Sequence, residues 1–557
     1  MKKTHVIIIL LVLAAVVVGA IVFYSFFSKE KILPNPRSLV PASTDLYAET
    51  ASLDEINKAL ADISSVVQVP VSLSKMLSSV DLPILADPIG GGVDTGRPLG
   101  FTAKISMTEG NSSAAFIPIS NIELAAKSLK IDLKGIRNGV VTSGKYSFTF
   151  KNSYLIISEN PKILTDLLAL KKLGIEISER KAGSLVNVTV TKNLIRQADS
   201  QLAEFEKAAP QGAKIGIRLA KRIIEDLNSL STDFVWNNDG LNLSTNFQFR
   251  SESLFPKILK TEDKLVFLDS LPSAACISGL SMNEEPSKKL TMEFIDIVKD
   301  LFDIDSGSEK ILQSSMDLFS GEIGAAIIEM NAMDPSKMKL VSVQAIPEGR
   351  EDNYLKTILS LQKVSTELWS KIMKGAGQPG STMEIKDLPI ENYGEVEVHS
   401  VSINTFMDIP IPPGADSKTI ELFEKMRHQT AISRYAVVKN ISGRSLMLSV
   451  SGMDTGILLN EIALLKGENK NIASTNSSVT KVIKMFEPQI AGYLLFNPMF
   501  FSGSTESKDL FGLSAKAKGN VIELNFVAPK EHIKGLAERI KSSMFGNGVI
   551  GNGFEMH

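Results

Sequence analysis

Apolar and polar positions along the chain change period in a way that recurs. From Tyr146 to Leu170 (YSFTFKNSYLIISENPKILTDLLAL) a short alternating run turns at Lys-Asn, returns as a second apolar strand, breaks at a polar turn and enters a Leu-rich helix. From Tyr435 to Leu465 (YAVVKNISGRSLMLSVSGMDTGILLNEIALL) the same succession follows. A period of two giving way to one near 3.6 predicts a β-hairpin followed by a helix in each place.

Other elements repeat around these two. Ser52 to Ile63 predicts a helix, with Ser52 as cap, Glu55 three residues on, and Ile56, Leu60 and Ile63 on one face. Phe101–Met107 and Ala114–Ile119 predict a strand pair, and Leu185–Val190 a further strand. Lys192–Ala208 predicts an amphipathic helix, and a second helix runs through Ile215, Leu219, Ile223, Leu227 and Leu230. A hairpin about Asn238-Asp239-Gly240 closes the first half.

From Leu265 the order begins again. Leu271-Pro-Ser-Ala274 echoes Val40-Pro-Ala-Ser43, a helix carries Leu290, Phe294, Ile297 and Leu301, and Gly321–Met330 with Leu340–Ile346 form a second strand pair. A long helix follows from Asn353 to Met373. Near the end, Gly519 to Phe526 (GNVIELNF) aligns without a gap to Gly240 to Phe247 (GLNLSTNF). The expectation is an α+β chain: an N-terminal transmembrane helix, then two similar antiparallel-sheet-plus-helix domains made by tandem duplication. The divisions are an anchor at 1–28, a linker at 29–36, repeat 1 at 37–262, repeat 2 at 263–545 with an insert at 375–430, and a flexible tail at 546–557. The insert holds an alternating strand from Val396 to Ile403 and a Pro-rich turn at Pro410–Gly414, and long loops on rigid frames often carry function.

The anchor rests on Val6–Phe27, 22 residues without a charge. As a helix this stretch would measure about 33 Å, against a hydrocarbon core of roughly 30 Å. A cleaved signal peptide is the competing reading, but its apolar region would run only about 7–15 residues and end at a small-residue site. A five-residue N-terminal tail before a body of some 500 residues places the tail in the cytoplasm and the body outside, periplasmic if the cell is Gram-negative.

Composition narrows the classes. The 557 residues are 44% hydrophobic and 22% charged, a globular balance with room for more than one core. A formal charge of −2 supplies no field that would gather nucleic acid, so none is expected as a partner. The single cysteine, Cys276, sits among Ala274, Ala275 and Ile277 and reads as a small buried hydrophobe.

Motifs that suggest chemistry fail on their surroundings. Asp94-Thr-Gly96 and Asp454-Thr-Gly456 have the look of an aspartic-type hydrolase pair, yet they fall at unmatched places in the repeat; Asp454 reads as a helix cap and Asp94 as a loop residue. Gly139–Lys145 (GVVTSGK) has phosphate-loop spacing but leads through Tyr146 into a strand. Gly546–Gly551 has dinucleotide-fingerprint spacing but follows a helix. Asp303-Ile-Asp305-Ser-Gly307 starts like a calcium loop with its glycine one place early. Ser72-Leu-Ser-Lys75 lacks the companion motifs of a penicillin-binding protein. His5, His399, His428, His532 and His557 show no metal spacing, and Trp236 and Trp369 read as core. The expectation is therefore no catalytic, cofactor-binding or metal residues and no cofactor.

The opening Leu39-Val-Pro-Ala-Ser-Thr-Asp45 behind an anchor, with Gly96-Arg-Pro-Leu-Gly100 before a strand pair, resembles bacterial membrane-anchored envelope proteins of an uncharacterised domain-of-unknown-function family. The resemblance extends over most of the chain and implies an extracytoplasmic body without transferable catalytic residues. The expected function is a membrane-tethered, non-enzymatic binding or scaffold protein that engages the membrane through Val6–Phe27 and a protein or envelope component through its body. A carrier of lipid or another apolar ligand is the first alternative, and an aspartic-type envelope hydrolase the second.

Overall fold

The computed structural model describes residues 40, 44–78, 82–105, 112–169, 180–302, 304–319, 321–329, 338–375, 380–440, 442–500 and 508–545. The anchor, the linker, the tail and the Gly546–Gly551 motif lie outside the described residues. Among the described residues, no helix is long and apolar enough to cross a membrane. The protein is α+β, and its strands pair antiparallel.

The chain divides into two compact units. The first comprises the described residues up to Ala198, Leu227–Gln248 and those from Ile533; the second comprises Asp199–Asp226 and Phe249–His532.

In the first unit the strands are β1 (Leu46–Ser52), β2 (Pro98–Lys104), β3 (Ser112–Pro118), β4 (Val141–Ser143), β5 (Tyr146–Lys151), β6 (Tyr154–Ser158), β7 (Ser184–Val190), β8 (Leu227–Trp236) and β9 (Gly240–Phe249). They lie in the order β4-β5-β6-β3-β2-β1-β7-β8, and β9 turns back beside β8. The turn between β5 and β6 has Asn152 and Ser153 at φ of 54° and 56°. Two left-handed residues give a two-residue hairpin the twist its strands require. Ser52 opens the helix Leu53–Val67 with a complete capping box: its hydroxyl accepts from Glu55 N, and the Glu55 carboxylate accepts from Ser52 N. Ile56 and Leu60 of that helix, with Leu164 and Leu167 of the helix Pro161–Ala169, share a core with Phe116, Ile117, Leu155 and Ile156.

The second unit holds β10 (Cys276–Met282), β11 (Gly321–Glu329), β12 (Lys339–Ala345), β13 (Thr382–Asp387), β14 (Glu391–Tyr393), β15 (Val396–Phe406), β16 (His428–Lys439), β17 (Ser445–Ser451), β18 (Gly492–Phe496), β19 (Phe511–Lys518) and β20 (Val521–Pro529). Their order is β15-β16-β17-β12-β11-β10-β18-β19-β20, with β13 and β14 along the outer edge of β15. With β13 and β14 set aside, the strands numbered along the chain run 4-5-6-3-2-1-7-8-9 in both units. Helices follow the first, third and sixth strands of each: Leu53–Val67, Ile122–Leu129 and Pro161–Ala169 in one, Glu284–Leu301, Glu351–Gly375 and Thr455–Leu465 in the other. The aligned glycines of the last hairpins, Gly240 and Gly519, both have positive φ, 143° and 60°.

One face of the second sheet builds the core. Ile277, Ala326, Val341, Val343, Leu448 and Leu495 pack against Leu458 and Ile462 of the helix Thr455–Leu465 and Val482 of the helix Ser477–Ile483. Gly279 is required there: a Cβ would lie 2.4 Å from the Tyr493 ring and 2.5 Å from Val266 O. On the opposite face the helix Glu351–Gly375 lays Leu355, Ile358 and Leu361 over Val401, Tyr435 and Met447.

Two local readings of the sequence change. The helix that the Leu spacing carries through Leu230 ends at Asp226, and Leu227 begins β8. Leu227 and Leu230 serve that strand instead, with Leu230 opposite Val190 of β7. Within 375–430, β15 pairs with β16 along Val398–Phe406, and Val396, Val398 and Val401 are core residues.

Candidate functional site

An unusual surface is the second face of the sheet in the second unit. Directly opposed residues of antiparallel strands point to the same side. On this side one row reads Leu340, Ile327, Cys276, Phe496 and Phe511, and the next reads Ser342, Ala325, Ser278, Leu494, Leu513 and Phe526. A third row reads Gln344, Ile323, Leu280, Gly492, Ala515 and Leu524. The surface is mostly aliphatic and aromatic. Phe496, Phe511 and Phe526 form a cluster, with Phe511 edge-on to Phe526 at 5.8 Å between centroids.

Strands apolar on both faces ordinarily have both faces covered. Here burial alternates with the pleat except at Gly492 and Phe511, which are buried on this side too. Ile277, Ala326, Val341, Val343 and Leu495 are fully buried, while Leu280, Ile323, Ile327, Leu340, Leu494, Leu513 and Phe526 keep partial exposure. An apolar sheet face left partly open is a surface that can take an apolar partner. Cys276 lies on it, and burial pushes its thiol up to about 11, so it stays a neutral, poorly nucleophilic group at physiological pH.

The first unit carries a contrasting surface. Glu49 of β1, Asn187 of β7 and Asp233 of β8 lie directly opposite one another, and Tyr47, Thr189 and Ser231 make the neighbouring row. All six are at most 3% exposed. Tyr47 Oη donates to Glu49 Oε2 at 3.0 Å, and Arg180 Nε stands 3.5 Å from Glu49 Oε1. Lys181 donates from its backbone N to Asp233 Oδ1 at 3.1 Å and from Nζ to Ser244 Oγ at 2.8 Å. In this buried polar sheet face Glu49 is thus matched by the Arg180 cation, and Asp233 by a backbone N–H. Asn187 Nδ2 has no hydrogen-bond partner among the described residues.

Ion pairs tie the helices of the second unit. Asp226, 2% exposed, ends the helix Gln211–Asp226 and accepts from Arg250 Nη2, with Arg222 Nη1 at 2.9 Å; Arg222 Nε also donates to Glu293 at 2.8 Å. Burial alone would raise the Asp226 pKa. Hydrogen bonds from Arg250, Ser253 and Arg222 outweigh it, and the carboxyl is held below its ordinary range. Glu206 binds Arg218 at 2.7 Å and Lys221 at 3.2 Å.

A buried acid without a hydrogen-bond partner on one carboxylate oxygen, among the described residues, lies elsewhere in this unit. Glu461, 2% exposed on the helix Thr455–Leu465, has Oε1 unbonded, and burial lifts its carboxyl to about 8.

The residues singled out in the sequence have local roles. Asp454 Oδ1 accepts from Gly456 N at 2.8 Å as a helix cap, and Asp94 faces Arg97 Nε at 3.8 Å in a loop. Lys145 follows the turn at Gly144 between β4 and β5, which is a hairpin, not a phosphate loop. Asp305 caps the helix Ser306–Ser314 through Gly307 N and Ser308 N, and the Ser308 hydroxyl together with those backbone bonds holds its carboxyl low; Asp303 lies outside the described residues. Ser72 and Ser74 bond each other at the exposed start of the helix Leu73–Ser78. His399 bonds Glu397 at 2.6 Å, His428 stands 3.9 Å from Glu424, and His5 and His557 are outside the described residues. His532 is buried and donates from Nδ1 to Leu510 O at 2.7 Å, and burial lowers its pKa. Trp236 Nε1 donates to Asp62 at 2.6 Å, and Trp369 is half-buried. Among the described residues no group of three or more His, Cys, Asp and Glu side chains could hold a metal ion.

Compared with known proteins, the chain matches no family model, no curated protein and no solved structure.

Proposed function

We propose that this is a membrane-tethered binding or scaffold protein of the cell envelope, without enzymatic activity of its own. Its body comprises two copies of one sheet-and-helix unit joined in tandem, and it engages a protein or an envelope component through the apolar face of β12-β11-β10-β18-β19-β20. The observation that supports this reading is the partial exposure of Leu280, Ile327, Leu340, Leu494, Leu513 and Phe526 on strands whose other face buries Ile277, Ala326, Val341, Leu495 and Val527 completely. Val6–Phe27, free of charge and long enough to span a bilayer, would supply the tether, with the N-terminus cytoplasmic and the body extracytoplasmic. A carrier of lipid or another apolar ligand is favoured by the same aliphatic and phenylalanine surface, which suits an acyl chain as well as a protein side chain.

Photo-crosslinking in native membranes separates the two. Benzoylphenylalanine in place of Phe526 of the full chain should yield one discrete adduct on irradiation. A protein mass in that adduct supports the scaffold reading, and a lipid mass supports the carrier. Irradiation that yields no adduct beyond the level of a probe at exposed Ile420 would overturn both.

A further inference from the structure

Glu461 has no counterpart in the first unit. The helix Thr455–Leu465 buries Leu458, Glu461, Ile462 and Leu465 along one stripe, and the helix after the same hairpin in the first unit buries Leu164 and Leu167 at the same three-residue interval. An acid therefore stands where the first unit has a leucine. We infer that the helix Thr455–Leu465 is a pH-sensitive clasp on the sheet of the second unit, tightest while Glu461 is neutral and opening more readily as it ionises.

The geometry supports this behaviour. Leu458, Ile462 and Leu465 belong to the apolar core with Ala436, Val438 and Leu448, and on the same stripe Glu461 is 2% exposed with Oε1 buried and unbonded, a setting that disfavours charge. Charged groups on the surrounding elements do not compensate it. Arg434 of β16 is spent on Gly452 O at 2.7 Å and Met453 O at 3.4 Å, while Lys439 is exposed. Lys466, Glu468 and Lys470 beyond the helix are exposed, and Lys481 of the helix Ser477–Ile483 pairs with Glu531. Burial is the one influence that acts on the Glu461 carboxyl, and it raises the pKa to about 8 from the ordinary 4.5. Leu458, Ile462, Leu464 and Leu465 hold the inner side of the helix, its outer side exposes Leu459 to 44%, and its N-terminus is capped by the side chain of Asp454, so the charge acts against that apolar anchorage.

Hydrogen exchange of the full chain at a series of pH values, corrected for intrinsic rates, tests the clasp. In the wild type the opening equilibrium of Thr455–Leu465 should rise about tenfold per pH unit between about pH 5 and pH 8 and then level off, as expected for one proton lost on opening. Pro161–Ala169 should show no such slope. In Glu461→Leu and in Glu461→Gln the opening of Thr455–Leu465 should be independent of pH; the isosteric Gln variant keeps the test valid if the Leu variant does not fold. A flat profile in the wild type, or an unchanged slope in either folded variant, would overturn the inference.

Discussion

Replacing Glu461 by Leu should stabilise the second unit by up to about 5 kcal/mol at pH 8 and by no more than about 1 kcal/mol at pH 4. The sign follows from the direction of the shift. The carboxyl titrates near 8 when buried and near 4.5 when exposed, so between these values the folded chain binds more protons than the unfolded one. Stability is then fully present below about pH 4.5 and is lost as pH rises through about 8. Leucine removes the titration and fills the stripe as Leu167 does in the first unit. If opening of the helix alone relieves the charge, the gain in global stability saturates at the cost of that opening, which is why the figure is an upper value. Urea denaturation of wild type and variant at pH 4, 6 and 8 gives the result directly: curves that converge at pH 4 and separate at pH 8. Parallel curves at all three values would mean that Glu461 finds a partner in solution.

Replacing Asp226 by Ala should destabilise the same unit by about 3 kcal/mol at neutral pH. Asp226 is buried at the end of its helix and receives Arg250 and Arg222 together. Removing the carboxylate leaves both guanidinium groups facing a site built for charge, though Arg222 retains Glu293 at 2.8 Å and Arg250 is partly open to water. Those residual contacts keep the loss at the lower end of what a broken buried pair costs. Because the folded carboxyl titrates below its ordinary value, its contribution is present above about pH 4 and fades as pH falls further, opposite in direction to Glu461. Chemical denaturation at pH 7 with and without 0.5 M salt should show a loss that salt scarcely changes, since buried pairs are weakly screened. A loss abolished by salt would place the pair at the surface.

Local structure was legible in the sequence where neighbours in the chain decide it. The capping box of Ser52 and Glu55, the Asp454 cap and the two hairpins with their following helices depend on contacts a few residues apart. The start of β8 was not legible, because Leu227 and Leu230 fit a helical stripe equally well and pairing with β7 from elsewhere in the chain decides against it. β15 shows the same limit. Its alternation was visible from Val396 to Ile403, but its place beside β16 is a non-local pairing that alternation cannot reveal. The candidate surface was legible only in part. Runs such as Ile323–Ile328 and Tyr493–Phe496 announce strands apolar on both sides, which reads as core, and which side lacks full cover is set by helices distant in sequence. Glu461 did leave a signal: it is the one charge in Thr455–Leu465, on the turn between Leu458 and Leu465.

The claim on which the functional account stands is that the apolar face around Leu494 is a working surface, not interior. Leu494→Gln in the full chain, carrying the photoreactive probe at position 526, tests it in one experiment. The account predicts a Tm within about 3 °C of the parent, as for a partly exposed site, together with loss of the adduct. A fall in Tm of about 10 °C, as for a polar group forced into a core, or an adduct that persists unchanged, would contradict it.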